Sequence, residues 1–409
     1  MNIGLLHYSV PPVVGGVEAI LARHAVLMTE AGHKVSVIAG RGNQFDSRVA
    51  FHQIPFVDSV QANVLTVKKE LDRGEVSAKF DSLVTEITSR LDPVLNGLDL
   101  LIAHNVCSLH KNLALTAALR KRVDRFQRPA LILWHHDLAW TTPRYRQELH
   151  DGYPWDLIRQ DWPGAIQVVV SEFRRGELAA LLGKQRDQIR VIPNGVAVTQ
   201  LLGLNTQTVE LIHRLELLTA SPLILLPVRI TPRKNIELAL HIVAELKKYF
   251  PDVMLVITGP PGPHNVANRE YFARLKSLRE QLSLTTRAHF LTDVVDGYLP
   301  EDVVYGLFRL ADLLLLPSLE EGFGLPLIEA SQVKLPVFCS NIDPLRELAG
   351  DGAHYFLPES DPKNIASMIR THVDANSVLQ MRMRLRRYDW DRVYKTEIEP
   401  LLCESGEDR

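Results

Sequence analysis

Pro317-Ser318-Leu319-Glu320-Glu321-Gly322-Phe323-Gly324-Leu325-Pro326-Leu327-Ile328-Glu329-Ala330 follows the apolar run Leu313–Leu316 and opens an amphipathic segment. The run has strand length, and the segment after it carries helical spacing, so the stretch reads as strand, loop and helix of a parallel βαβ unit. Pro326 suits the first helical position, where a missing N–H costs nothing. Two glycines and a helix start leave several backbone N–H groups free to face an anion. Glu321 precedes those glycines, and Glu329 lies about one turn into the helix. A plain alternative is that both glutamates only offset the helix dipole. Two carboxylates around an anion-binding loop also suit a ligand with phosphate in its middle and hydroxyls at both ends, the layout of a nucleotide sugar.

Working outward, short apolar runs alternate with amphipathic segments along the whole chain, the pattern of α/β proteins with parallel sheets. In the first half, strands are predicted near Ile3–His7, Lys34–Ala39, Leu98–Ala103, Leu131–His135, Gln167–Val170 and Gln188–Ile192. Helices are predicted near Val17–Glu30, Ser77–Leu91, Leu113–Val123 and Glu172–Leu182. The second half gives strands near Leu223–Val228, Val253–Thr258, Ala288–Leu291, Leu313–Leu316 and Val337–Cys339. Its helices fall near Asn235–Tyr249, Arg269–Gln281, Pro300–Leu310, Pro326–Val333 and Pro362–Val373. Strand spacing lapses over Val196–Ala220, and a new strand–turn–helix series restarts at Pro222. Two doubly wound domains in tandem are therefore expected: residues 1–197, a linker at 198–221, residues 222–386, and a terminal helix at 387–409 that crosses back to the first domain.

The chain has 409 residues, 46% of them hydrophobic and 23% charged, which fits two globular domains. A formal net charge of −2 gives no reason to expect a nucleic-acid partner. Three scattered cysteines, Cys107, Cys339 and Cys403, make neither a disulfide framework nor a metal knuckle, which points to a reducing cytoplasm. The N-terminus enters a strand pattern without a signal-peptide profile, and no apolar run approaches membrane-span length. A soluble, cytoplasmic protein is expected, with peripheral membrane contact left open and the oligomeric state undecided.

Further chemistry-bearing residues sit at predicted strand ends, where open parallel sheets bind ligands. In Val228-Arg229-Ile230-Thr231-Pro232-Arg233-Lys234-Asn235, Arg229 and Lys234 are placed to meet the charge that develops on a departing diphosphate. Arg233 reads as a solvated surface residue. Gly15 and Gly16, between the first strand and its helix, permit close approach of backbone to a ligand. Leu133-Trp134-His135-His136-Asp137 ends another strand, as do His104 and Asn105. His-His-Asp are metal-ligand types, but three consecutive strand residues do not converge on one ion. Hydrogen-bonding filler is a further alternative for His135 and His136. Arg120, Lys121, Arg122 and Arg125 form either a basic face for an anionic lipid or an ordinary solvated helix. Trp134, Trp140, Arg144 and Arg146 are placed to line a polar acceptor pocket.

The Glu321-to-Glu329 segment resembles the E-x7-E signature of retaining glycosyltransferases of the GT-B architecture, closest to glycosyltransferase family 4 (glycosyl transferases group 1). Arg229 and Lys234 match that family's R-x4-K pair. Gly15-Gly16 resembles its Gly-Gly loop, His136 with Asp137 its strand-end histidine, and Ile257-Thr258-Gly259-Pro260-Pro261-Gly262 the loop after the second strand of its nucleotide domain. Tyr388-Asp389-Trp390-Asp391 resembles the terminal segment. The resemblance implies two Rossmann-like domains facing a central cleft that holds the donor. It implies Arg229, Lys234, His136 and Glu321 as catalytic residues. Donor contacts would come from Gly15, Gly16, Gly259, Val294, Glu329 and the amides of Phe323, Gly324 and Leu325. Asp137, Trp140 and Arg144 are expected on the acceptor side. Leu291-Thr292-Asp293-Val294 departs from the glycine-containing turn usual there, which leaves the base open.

The expected activity is transfer of a hexose, with retention, from a nucleotide diphosphate sugar such as GDP-mannose or UDP-glucose to a hydroxyl of a small soluble acceptor. No cofactor and no metal are expected, since Asp389-Trp390-Asp391 lies in a helical tail and not in a strand-end loop. Two rival readings are a nucleotide-sugar epimerase of the same architecture and a non-catalytic sugar-nucleotide-binding protein.

Overall fold

The computed structural model describes residues 1–125, 128–261, 267–295 and 299–407. They divide into two compact units, Met1–Gly195 with Trp390–Arg409, and Val196–Asp389. The first unit holds strands β1 (Asn2–Leu6), β2 (Lys34–Ala39), β3 (Ala50–Gln53), β4 (Leu100–His104), β5 (Ala130–His135), β6 (Ala165–Val169) and β7 (Ile189–Val191). They form one parallel sheet in the order β3-β2-β1-β4-β5-β6-β7. The second unit holds β8 (Leu223–Leu226), β9 (Met254–Ile257), β10 (Ala288–Phe290), β11 (Leu313–Leu316), β12 (Val337–Ser340) and β13 (His354–Phe356). Its parallel sheet runs β10-β9-β8-β11-β12-β13. Both are doubly wound, as the alternation in the sequence implies.

The central strands are buried along their whole length; Leu223–Leu226 and Leu313–Leu316 have no exposed residue. Helices cover both faces of such a sheet, so its strands read as unbroken apolar runs. Each sheet reverses its winding once, between β1 and β4 in the first unit and between β8 and β11 in the second. At that point the loops leaving the two central strands diverge and leave a crevice beyond their carboxyl ends. In the second unit the flanking loops are Pro227–Asn235 and Pro317–Gly324. In the first they begin at His7 and Asn105.

The expected linker is corrected. Residues 198–221 hold the helix Thr206–Arg214, capped by Asn205, whose Oδ1 accepts from the Thr208 amide at 2.7 Å. Leu211, Ile212, Leu215, Leu217, Leu218 and Ala220 belong to the core of the second unit. Strand spacing lapses there because the segment is helical. The boundaries fall at Gly195/Val196 and Asp389/Trp390, and Val196 pairs with Tyr388 and Asp389. The terminal segment groups with the first unit, where Asp391 meets Arg23 at 3.4 Å and Glu404 meets Arg190 at 2.6 Å. Among the described residues, no helix is long and apolar enough to cross a membrane.

Candidate active site

Strand β8 ends at Leu226, three residues before Arg229, which is exposed. After Pro232 the chain makes a single turn through Lys234, and Asn235 adopts the left-handed conformation at φ 49° before the helix Ile236–Leu246 begins. Tyr271 holds this entry. Its hydroxyl accepts from the Ile236 amide at 3.3 Å and donates to Glu237. The Lys234 side chain is buried, and its Nζ lies 2.5 Å from Glu321 Oε1. Both side chains are at most 10% exposed. Buried charges are tolerated only when paired, so each charge compensates the other. Ser318, fully buried on the same loop as Glu321, donates its hydroxyl to the same Oε1 at 2.7 Å.

The loops after β8 and β11 are stitched together. The Leu319 amide donates to the Arg233 carbonyl at 2.8 Å, and Arg233 Nη1 donates to the Glu320 carbonyl at 3.3 Å. Arg233 is thus more than the solvated residue expected. It ties the cation loop to the acid loop, a role that nothing in its local sequence advertises. Gly324 caps the helix Leu325–Gln332 at φ 103°, and a Cβ there would lie 2.7 Å from Leu345 Cδ2. Only glycine takes this conformation without strain. The helix begins at Leu325, so Pro326 occupies its second position. Within the first turn Pro326 has no N–H and the Leu327 amide donates to the Gly324 carbonyl at 2.9 Å, so the amides that can face a ligand are those of the preceding loop and of Leu325. The side chains of Phe323 and Leu325 are exposed.

Beside this loop pair lies a cavity of about 290 Å³ lined in part by Arg229, Gly259, Thr292, Glu301 and Glu329. A Cβ on Gly259 would sit 2.3 Å from the Val228 carbonyl oxygen, so glycine there lets two strand-end loops touch. Burial, and secondly the charge of Glu301, push the Glu329 carboxyl above its ordinary range. Val294 is displaced from its expected place. Its carbonyl accepts from Arg214 at 2.5 Å, and it faces a neighbouring hollow with Glu210 and Arg214. Residues 291–293 form a turn that points Thr292 at the cavity instead. Gly262 lies outside the described residues.

In the first unit, Gly15 precedes the helix Gly16–Glu30. A Cβ on Gly16 would meet nothing within 4 Å, whereas one on Gly15 would strike the Glu18 carboxylate at 2.0 Å. That carboxylate accepts from Ser9 at 2.7 Å. The Asn105 side-chain oxygen receives the amides of His136 and Asp137 at 2.7 and 3.1 Å, so Asn105 shapes the end of β5. His104 Nδ1 and His136 Nε2 lie 3.1 Å apart, one carrying the shared proton. His136 is 8% exposed. Burial, with His24, His7 and His135 adding to it, lowers its pKa to about 3. It is a neutral imidazole at physiological pH.

The three side chains of His135-His136-Asp137 diverge. His135 pairs with Gln167 at 2.8 Å, His136 with His104, and Asp137 with Arg174 at 3.3 Å. His135 is thus the hydrogen-bonding filler. The acceptor-pocket expectation is corrected for two residues. Trp134 is completely buried. Trp140 donates to the Trp155 carbonyl at 3.3 Å, and the Arg159 guanidinium covers its ring at 4.0 Å. Arg144 is exposed, lying against Tyr145. On the basic helix Leu113–Arg125, Arg120 pairs with Asp124 at 2.9 Å and buried Arg122 binds Asn96 at 2.7 Å, while Lys121 and Arg125 are exposed. Of the Asp-x-Asp pair, Asp389 is buried and accepts from the Val198 amide at 3.2 Å, while Asp391 meets Arg23.

Comparison with known proteins follows the same division. A sequence model of glycosyltransferase family 4 matches residues 14–200, and one of glycosyl transferases group 1 matches residues 210–389. The mannosylglucosylglycerate synthases of Petrotoga mobilis and Thermotoga maritima are 26% and 25% identical to this chain. Each alignment covers 82% of it, and 81% and 80% of the respective relative. A D-inositol 3-phosphate glycosyltransferase of Nocardia farcinica is 28% identical over 43% of this chain and 38% of its own. With two doubly wound sheets and family matches over both halves, the chain belongs to the GT-B glycosyltransferases of the family 4 type.

Proposed function

We propose that the protein transfers a hexose from a nucleotide diphosphate sugar to a hydroxyl of a small, anionic, soluble acceptor, with retention at the anomeric carbon. The observation that carries the donor assignment is the buried Lys234–Glu321 pair at the winding reversal of the second sheet. It lies on the same two loops as Arg229 and the start of the helix bearing Glu329. The two leading donors are GDP-mannose and UDP-glucose. The names of the full-length relatives, mannosylglucosylglycerate synthases, favour a mannosyl donor and a sugar-acid acceptor.

In this mechanism the acceptor hydroxyl attacks the anomeric carbon on the face from which the diphosphate departs, through an oxocarbenium-like state. The bond to the leaving phosphate oxygen breaks, and that oxygen takes the acceptor proton. Lys234 and Arg229 stabilise the negative charge as it develops on the diphosphate, which lowers the barrier more than it aids ground-state binding. Glu321 receives hydroxyls of the transferred sugar, and Glu329 those of the ribose. Because two fixed cations meet the leaving group, metal is dispensable in this reading, and activity should survive EDTA.

Replacing Lys234 with Ala should lower kcat by about 100-fold or more, the scale of losing a preorganised charge partner. The product formed from an α-linked donor should be α-linked by NMR. Undiminished turnover of Lys234→Ala, or a β-linked product, would overturn the mechanism.

A further inference from the structure

The cavity beside the loop pair has two carboxylates with different neighbours. Glu329 lies on the helix Leu325–Gln332, and Glu301 opens the helix Glu301–Leu310. The next residue, Asp302, is engaged by Asn205 at 2.6 Å. Glu301 is exposed, and no hydrogen bond or ion pair ties its carboxylate to any of the described residues. A first-turn glutamate is often only a partner for the helix dipole. Here the same residue faces a slot whose other walls include Leu291, Val295, Leu299 and Val304. Apolar walls beside a carboxylate of this kind give the shape and chemistry for a flat ring that presents N–H groups.

We propose that Glu301 reads the base of the donor and selects guanine, making the protein specific for a guanosine diphosphate sugar. This rests on the donor assignment above and deepens it. Guanine carries an N1–H and an exocyclic N2–H side by side on one edge, so the two oxygens of a carboxylate accept both in parallel. Uracil presents a single N–H between two carbonyl oxygens, and those oxygens are repelled by a carboxylate. Cytosine and adenine each offer one amino group next to an acceptor nitrogen. Guanine alone has an edge of two adjacent donors. Charge-assisted bonds of this kind are about twice as strong as neutral ones, and a site built around a donor strongly rejects a ligand lacking it. With the Glu329 carboxylate at the ribose, the two acids would divide the nucleoside between them.

The test is calorimetric titration of the full chain with GDP, IDP and UDP, alongside Glu301→Ala and Glu301→Gln. IDP keeps N1–H but lacks the N2 amino group. The wild type should bind GDP more tightly than IDP, and IDP more tightly than UDP. Glu301→Ala should weaken GDP by about 10- to 100-fold, the worth of hydrogen bonds to a charged group, and leave UDP within about twofold. The order GDP over IDP should disappear. Glu301→Gln, which keeps the shape and adds a donor, should narrow the gap between GDP and UDP, with an unchanged melting temperature. Equal wild-type affinity for GDP and UDP, or an equal loss of both in Glu301→Ala, would overturn the base assignment while leaving the donor site standing. Absence of binding by all three nucleotides to the wild type would overturn both.

Discussion

His24 sits on the helix Gly16–Glu30, fully buried against the rings of Trp134, Trp390 and His104. Neither of its ring nitrogens has a hydrogen-bond partner among the described residues. Burial lowers its pKa to about 3 and that of His135 to about 4, and it holds His7 and His104 below the usual range as well. With His136 this makes five histidines kept neutral in one unit. Their folded-state pKa values are depressed, so their contribution to stability is complete above the unfolded value near 6.5. It is lost as pH falls below that value, toward about 3 to 4 for His24, His135 and His136. A single group held neutral in the fold adds at most about 1.4 kcal/mol per pH unit to the slope of stability within its window. All five tryptophans, Trp134, Trp140, Trp155, Trp162 and Trp390, belong to this unit, so tryptophan fluorescence during urea unfolding follows it alone. His24→Phe should reduce the slope between about pH 4 and 6 by roughly one histidine's share. It should not destabilise the unit at pH 7, because it removes two unpartnered polar atoms that cost stability when buried. An unchanged slope would mean that His24 finds a partner and is not held neutral.

At the scale of elements, nearly all the central strands were legible because burial on both faces leaves unbroken apolar runs. The edge strands β3 and β13 were not. Ala50-Phe51-His52-Gln53 and His354-Tyr355-Phe356 are short, mixed in polarity and half-buried, so they carry no such run. The helix Thr206–Arg214 shows in the sequence only as a lapse of strand spacing, although Asn205 is an ordinary cap. The four charged residues Arg229, Lys234, Glu321 and Glu329 stand out by spacing. What spacing does not reveal is the support behind them: Ser318 on Glu321, Tyr271 behind Lys234, and Arg233 across the two loops. Those bonds join residues 35 to 87 positions apart, or use groups common anywhere in a sequence. Gly259 and Gly16 separate two meanings of a loop glycine. Gly259→Ala forces a Cβ within 2.6 Å of Arg229 Cα as well as onto the Val228 carbonyl, so the loop bearing Arg229 must shift. That variant should lose about 1–3 kcal/mol of stability and raise the KM for donor. Gly16→Ala meets open space and should lose no stability, so any loss of activity there reports on the ligand. Equal melting temperatures for Gly259→Ala and the wild type would show that the β8 and β9 loops are less tightly apposed than described.

Each unit of the molecule has its own sheet and its own buried core. In the second unit, Asp312, immediately before β11, is completely buried, pairs with Arg386 and accepts from the Leu223 amide at 2.8 Å. This network fastens the end of the unit to its two central strands, from which the loops bearing Lys234 and Glu321 depart. A ligand held by those loops binds only when β8 and β11 are in register, so it stabilises the unit against opening by mass action. At 100 times its dissociation constant the gain is about 2.7 kcal/mol, or roughly a hundredfold slowing of exchange for amides released by opening of the whole unit. Hydrogen exchange should therefore show the amides of β8, β9 and β11 slowed by a nucleoside diphosphate without acceptor. The amides of β1, β4 and β5, which belong to the other core, should change far less. The same titration on Lys234→Ala should need more nucleotide for equal protection, since the phosphate loses a cation. Protection falling instead on β1, β4 and β5 would place the nucleotide on the first sheet, and the Lys234–Glu321 pair would then be a structural ion pair with no part in holding the donor.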